Sequence, residues 1–226
     1  MSIIQEIGRH LKAPLNDLGI ICKFNGANIL QTRWFIKVSC EDYIQKILAN
    51  RDWLHLKAAT QPLPMRQDSK YQRQLELAVR PQTPEEQLHI QTQAGFSYRT
   101  SIGELIYALV IARPDISLPT TKLSQYNSNP ALAHYHAAKA VFAFLNNIKD
   151  DGLIFWRRNP RMYLPEVPLP TPYSTVHNAL QPLPTLPHVP LGFSDSDWGS
   201  DFSDRRSISG MIIIMSGAAV IYKTKY

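Results

Sequence analysis

Apolar and polar residues alternate from Ile3 to Leu11 in a way that predicts a short helix, ended before Pro14. Two apolar stretches follow, Leu18 to Phe24 and Ile29 to Val38. Between them Asn25-Gly26-Ala27-Asn28 tolerates positive φ and predicts a hairpin. Tyr43, Ile44, Ile47 and Leu48 recur at helical spacing behind Glu41 and Asp42, acids that suit a helix N-terminus. From Arg51 to Gly95 the pattern fades into polar residues with Pro62, Pro64, Pro81 and Pro84. That stretch predicts mostly loop, with Pro84-Glu85-Glu86 able to open a short helix.

Beyond Ser97 the helical period returns. Ile102, Leu105, Ile106, Leu109 and Val110 form one apolar face, and Pro114 stops that helix. A second helix with Pro119 at its first turn runs to about Tyr126. A third, opened by Asn129-Pro130, carries Ala133, Ala137, Val141, Phe142 and Leu145 and ends near Lys149 and Gly152. Prolines at 160, 165, 168, 170, 172, 182, 184, 187 and 190 then block helices and ladders alike and mark a linker. Three strand-like pieces close the chain: Leu191 to Ser194, Ser209 to Met215 and Ala218 to Lys223, the last two joined at Ser216-Gly217. The expected fold class is α+β in several parts: 1–50 hairpin and helix, 51–95 connecting loop, 96–156 three-helix unit, 157–190 linker and 191–226 partial sheet.

Composition changes this picture little. The 226 residues are 44% hydrophobic, enough for a core. Cys22 and Cys40 lack CxxC spacing, and Met1 to Leu11 lacks the layout of a signal peptide, so free thiols in an intracellular, reducing compartment are expected. The longest apolar run, Leu105 to Ala112, is far short of the ~20 residues that span a bilayer. A formal charge of +6 favours a polyanionic partner, because binding phosphates releases condensed counterions.

Candidate chemistry is sparse. His134 and His136 point in different directions along one helix and cannot share a metal; the histidines read as surface or satisfied core residues. Asp150-Asp151 falls at a helix end and reads as a solvated turn. No Gly-rich phosphate loop, GxSxG elbow or Cys/His zinc spacing occurs, and no small-molecule cofactor is expected. Arg99, Gly103 and Tyr107, spaced by four, stack on one helix face. Either a nucleic-acid backbone approaches over the glycine with Tyr107 on sugar edges, or a second helix packs there. Phe155-Trp156-Arg157-Arg158-Asn159-Pro160-Arg161 interleaves rings and guanidinium groups, which suits nucleic acid or a solvated linker start.

Four ordered stretches carry a family resemblance. Tyr98-Arg99-Thr100-Ser101-Ile102-Gly103-Glu104-Leu105-Ile106-Tyr107 with Ala112-Arg113-Pro114-Asp115-Ile116 resembles the "YRxxIGxLxY…xRPDI" signature of copia-type LTR retrotransposon Pol polyproteins. Ser128-Asn129-Pro130 with His134-Tyr135-His136-Ala137-Ala138-Lys139 is similar to the same family's "SNPxxxHxxAxKxVxxYL". Gly192-Phe193-Ser194-Asp195-Ser196-Asp197-Trp198 with Asp204-Arg205-Arg206-Ser207-Ile208-Ser209-Gly210 resembles its "GYSDADWAGDxxDRRSTSG". Leu18-Gly19, Gln31 and Tyr43 to Leu48 look like its "LGxxI…QxxYIxKIL".

The resemblance implies the end of a reverse transcriptase palm with a primer-grip-like hairpin at Leu18 and Gly19, a thumb-like helical unit, and the opening strands of an RNase H sheet. Apart from the resemblance, the residues favour reading that hairpin as an ordinary amphipathic one. Implied partners are an RNA–DNA hybrid or template–primer duplex; the implied cofactor is Mg2+. The family's RNase H chemistry points to Asp195 as a carboxylate ligand, with Asp197 its rival on the same side of the strand. The Tyr-x-Asp-Asp tetrad of the polymerase is absent from the sequence. The expectation is therefore a chain that contacts nucleic acid with little or no catalysis. The other readings are a non-catalytic nucleic-acid-binding module and a decayed, inactive remnant.

Overall fold

A computed structural model describes residues 3–11, 20–57, 59–63, 70–157, 190–196 and 207–225. They form seven α-helices, one 3-10 turn and two antiparallel sheets, an α+β architecture. Helix α1, Ile3–Leu11, falls where periodicity places it. Strands β1 (Lys23–Phe24) and β2 (Ala27–Gln31) meet at Asn25 and Gly26, whose φ values of 47° and 82° make the tight turn that an Asn-Gly pair favours. The turn is two residues long, with Ala27 and Asn28 already in β2.

The expected single stretch Ile29 to Val38 is two strands, β2 and β3 (Phe35–Ser39). Thr32 breaks it: its hydroxyl accepts from the amides of Trp34 at 3.2 Å and Phe35 at 3.0 Å, a local turn that competes with the ladder. Helix α2 spans Glu41–Ala49 and buries Ile44, Ile47 and Leu48.

The stretch expected to be mostly loop holds two helices. Helix α3, Lys70–Glu76, buries Leu75. Helix α4, Pro84–Ala94, buries none of its residues and is defined by its ends. Thr83 accepts from the Glu86 amide at 3.2 Å, Glu86 accepts from the Gln82 amide at 2.7 Å, and Gly95 closes the helix at φ 80°.

Helix α5 (Tyr98–Ala112), a 3-10 turn (Pro114–Ile116), α6 (Ser117–Ser124) and α7 (Leu132–Asn147) match the three expected helices. With α2 they enclose a core in which Ile44, Leu48, Ile102, Leu105, Phe142 and Leu145 are fully buried. Each such side chain contributes about 1.5–3 kcal/mol relative to exposure.

Gly152–Trp156, expected to be the tail of the helical unit, is a strand, β4. It pairs with β3 from Phe35↔Trp156 to Ser39↔Gly152 and completes a sheet of order β1-β2-β3-β4. The helical unit is therefore an excursion between two neighbouring strands. Most of the proline-rich stretch, 158–189, lies outside the described residues.

The second sheet has the order β5-β6-β7, with β5 at Leu191–Ser196, β6 at Ser209–Met215 and β7 at Ala218–Lys225. Its strands and its Ser216-Gly217 turn fall where expected, that turn having φ of 54° and 88°. The sheet docks on the rest of the chain. Trp156 donates its amide to the Ser216 carbonyl at 2.7 Å, and a Cβ on Gly217 would meet Trp156 Cδ1 at 2.7 Å. Tyr222 donates to the carbonyls of Leu109 and Val110 at 2.7 and 3.0 Å, capping the last turn of α5, while Thr224 and Ser117 share a hydroxyl hydrogen bond of 2.6 Å. Among the described residues no helix is long and apolar enough to cross a membrane.

Candidate nucleic-acid interface

Helix α5 has two dissimilar faces. Ser97 caps it by accepting from the Thr100 amide, and Tyr98, Ile102 and Leu105 turn inward. The Tyr98 hydroxyl donates to the Leu123 carbonyl at 2.8 Å; burial raises its pKa, so the phenol stays neutral. At the rim Glu104 meets Arg51 at 2.6 Å, and the Arg51 guanidinium lies 5.3 Å from the Trp53 ring centroid. These contacts fix the rotation of α5 and so decide what its outer face presents.

On that outer face Arg99 and Gly103 are exposed, and a Cβ added at Gly103 would meet nothing within 4 Å. Among the described residues no helix packs over Gly103. The open backbone beside a cation one turn earlier leaves room for a ligand to approach closely. Tyr107, one turn further, is half-buried: its hydroxyl donates to the Asn25 carbonyl at 3.1 Å, and its ring lies 4.4 Å from that of Tyr43. Tyr43 is pushed up to about 12, first by burial and then by the Glu104 carboxylate.

Leu18 and Gly19 lie outside the described residues. The hairpin that follows them is tied to α2 by the exposed Lys23–Asp42 ion pair and by Asn28 Oδ1, which accepts from the Asp42 amide at 3.2 Å. Lys23, through its hydrogen bond, and Asn28 hold the Asp42 carboxyl below the usual range.

The basic-aromatic cluster is larger than its sequence stretch. Arg157 donates from its amide to the Trp34 carbonyl at 2.9 Å and from Nε to the Thr32 carbonyl at 3.1 Å. Arg33 stands 4.3 Å over the Trp34 ring, and Phe35 meets Trp156 edge-on at 5.4 Å. Arg33 and Trp34 were missed because only the β3–β4 pairing brings them beside Arg157; Arg158 lies outside the described residues.

Asp195 is exposed on β5, opposite Gly210 of β6 and in one row with Thr224 of β7. Asp197 lies outside the described residues. The shallow depression at Asp195 is otherwise lined by Ser, Gly and Met residues and by Lys223 and Lys225. No three of His, Cys, Asp and Glu gather among the described residues. Among the described residues Asp195 is the one carboxylate there, with lysines nearby, where a pair of hard divalent cations takes several oxygen ligands.

Two residues from the sequence motifs prove to be internal supports. Arg113 is buried against Asp115, and His134 is fully buried between α7 and α3. His136 is exposed on the other side of α7, as the spacing argument requires.

No family model matches the chain, and no solved structure matches it. Curated relatives do. Over 213 residues, 93% of this chain, it is 25% identical to the retrovirus-related Pol polyprotein from transposon TNT 1-94 of Nicotiana tabacum, of which it spans 13%. Over 128 residues, 57% of this chain, it is 27% identical to the secreted RxLR effector protein 161 of Plasmopara viticola, covering 71% of that protein. A stretch of 128 residues is also 27% identical to the retrovirus-related Pol polyprotein from transposon RE2 of Arabidopsis thaliana, 57% of this chain and 7% of that one.

Proposed function

We propose that this chain, a relative of the retrovirus-related Pol polyproteins of transposons, is the part of a copia-type polyprotein joining the end of the reverse transcriptase to the start of the RNase H domain. Its own activity is to hold the template–primer duplex or RNA–DNA hybrid. The observation that carries this reading is the open backbone at Gly103, one turn from exposed Arg99, on a helix whose other contacts are fixed. Support comes also from the tobacco relative, whose alignment takes in 93% of the chain.

The chemistry is that of a phosphate contact. Arg99 supplies a planar cation for a phosphate oxygen, and Gly103 lets the sugar-phosphate backbone lie against the helix without meeting a side chain. Arg157 and Arg33, beside Trp34, form a second basic and aromatic surface for the same polyanion. Mg2+-dependent transfer and scission belong to the whole polyprotein, where clustered acids would hold the metals; the described carboxylates of this chain support no such step.

The test is fluorescence anisotropy with a labelled RNA–DNA hybrid across a salt series. Log affinity is expected to fall steeply against log salt, Arg99→Ala to lower the slope by about one phosphate contact, and Gly103→Leu to weaken binding at every salt. Neither primer extension nor RNA cleavage is expected with Mg2+. A flat salt response, or binding indifferent to both substitutions, would overturn the proposal.

A further inference from the structure

Tyr107 shares the α5 spacing of Arg99 and Gly103, but its hydroxyl is engaged by the protein itself. It donates to the Asn25 carbonyl at the tip of the β1–β2 hairpin, 3.1 Å away and 82 residues distant in sequence. Its ring packs on Tyr43 of α2 at 4.4 Å with planes tilted by 48°. Gly26 completes the fit. It has φ +82°, and a Cβ there would run into the Tyr107 hydroxyl. A hydrogen bond, a ring contact and the absence of a side chain converge on one seat for the turn.

The hairpin needs such a seat. Strand β2 is held by its ladder to β3 and by the Asp42 contacts of Lys23 and Asn28, but β1 has two residues and Phe24 beside the turn is 68% exposed, so the β1 side and the turn have little apolar burial of their own. Asn25 and Gly26 shape the turn, and Tyr107 is the α5 side chain against which it rests.

We infer that Tyr107 is a positioning residue: it fastens the β1–β2 hairpin to α5, so that the hairpin and the open backbone at Gly103 meet one nucleic-acid duplex as a single pre-arranged surface. The inference rests on the duplex-binding reading above and assigns Tyr107 a part in it without contact to the duplex. Two surfaces held in fixed relation bind a rigid duplex more tightly than two that must be brought into line on binding.

The experiment pairs hydrogen exchange of the 23–31 amides, measured without nucleic acid, with anisotropy on the labelled hybrid. Tyr107→Phe keeps the ring against Tyr43 and removes the donor. Hairpin exchange is expected to rise ~5-fold and hybrid affinity to fall ~5-fold, the scale of one lost hydrogen bond, with the melting temperature little changed. Gly26→Ala should do the same in the wild type and less in the Tyr107→Phe background, where the colliding hydroxyl is gone. Arg99→Ala should weaken binding and leave hairpin exchange untouched. Unchanged exchange in Tyr107→Phe overturns the assignment, and so does faster exchange with undiminished affinity. A wild-type chain that binds no hybrid overturns the duplex-binding reading and is recognised as that failure because the exchange difference persists.

Discussion

Arg113 and Asp115 form a two-pronged ion pair across Pro114 in which the cation, 1% exposed, lies 3.0 Å from Asp115 Oδ1 through Nε and 2.6 Å from Oδ2 through Nη2. The third prong reaches the end of α7, where Nη1 donates to the Ile148 carbonyl at 3.0 Å. One guanidinium thus joins the C-termini of α5 and α7. Removing Asp115 leaves that charge buried and short of its partner. Asp115→Ala is expected to lower stability by about 3 kcal/mol, and Arg113→Lys, which cannot fork, by a similar amount, both read from urea unfolding. A loss below about 1 kcal/mol in both variants would contradict the clamp.

His134 predicts an acid-sensitive core. Its Nδ1 accepts from the Ala131 amide at 2.9 Å, so Nε2 carries the proton and donates to the Leu75 carbonyl at 2.9 Å. Desolvation, opposed by the Leu75 hydrogen bond and aided by the Arg80 charge, lowers the imidazole pKa to about 4. The unfolded chain takes up a proton near pH 6.5 and the folded one does not, so the contribution is complete above that pH and is lost as pH falls towards 4. Wild type should lose about 2 kcal/mol between pH 7 and pH 5 that His134→Gln does not lose. Parallel curves for the two proteins would contradict it.

Tyr222 predicts a separable joint. Its hydroxyl caps the Leu109 and Val110 carbonyls, so Tyr222→Phe leaves these helix-end acceptors without their donor across the sheet–helix boundary. The expected cost is about 1 kcal/mol, with limited proteolysis cutting the β5–β7 region before the helical core. Uniform protection along the chain would show that the hydroxyl does not hold the second sheet.

Asp195 makes the opposite prediction. Being exposed, it can be changed to Asn with less than about 0.5 kcal/mol effect on stability. Millimolar Mg2+ should leave the melting temperature where it is; a rise abolished by Asp195→Asn would reveal a metal site.

Legibility in the sequence followed the range of the interactions involved. The Asn25-Gly26 turn and the long periodic helices α5 and α7 are local matters of φ preference and apolar spacing. Strand β4 was not legible, because a five-residue run such as Gly152-Leu153-Ile154-Phe155-Trp156 has no period to choose strand over helix tail, and its partner β3 precedes the whole helical unit. Helix α3 was hidden for a related reason: Lys70–Glu76 is largely polar, and its anchors, the His134 bond to Leu75 and the Lys122–Glu76 pair at 3.6 Å, lie on α7 and α6. The motif around Arg113 was recognisable while its burial was not, since the end of α7 supplies the enclosing carbonyl. Of the candidate site, the row Arg99-Gly103-Tyr107 was legible as a row; that Gly103 lies open and Tyr107 engages a hairpin is decided by neighbours distant in the chain.

The pairing of β3 with β4 also fixes an order of assembly. Strand β3 leaves the ribosome before α2 to α7, and the residues that satisfy its outer edge emerge only after them, so closing that ladder awaits collapse of the intervening helices. Until then the nascent chain carries an unpaired, largely apolar edge, Phe35 to Ser39, able to recruit a stray strand from another molecule. A product cut short between Asn147 and Gly152 would be caught at this stage, with its helices complete and a lasting tendency to aggregate.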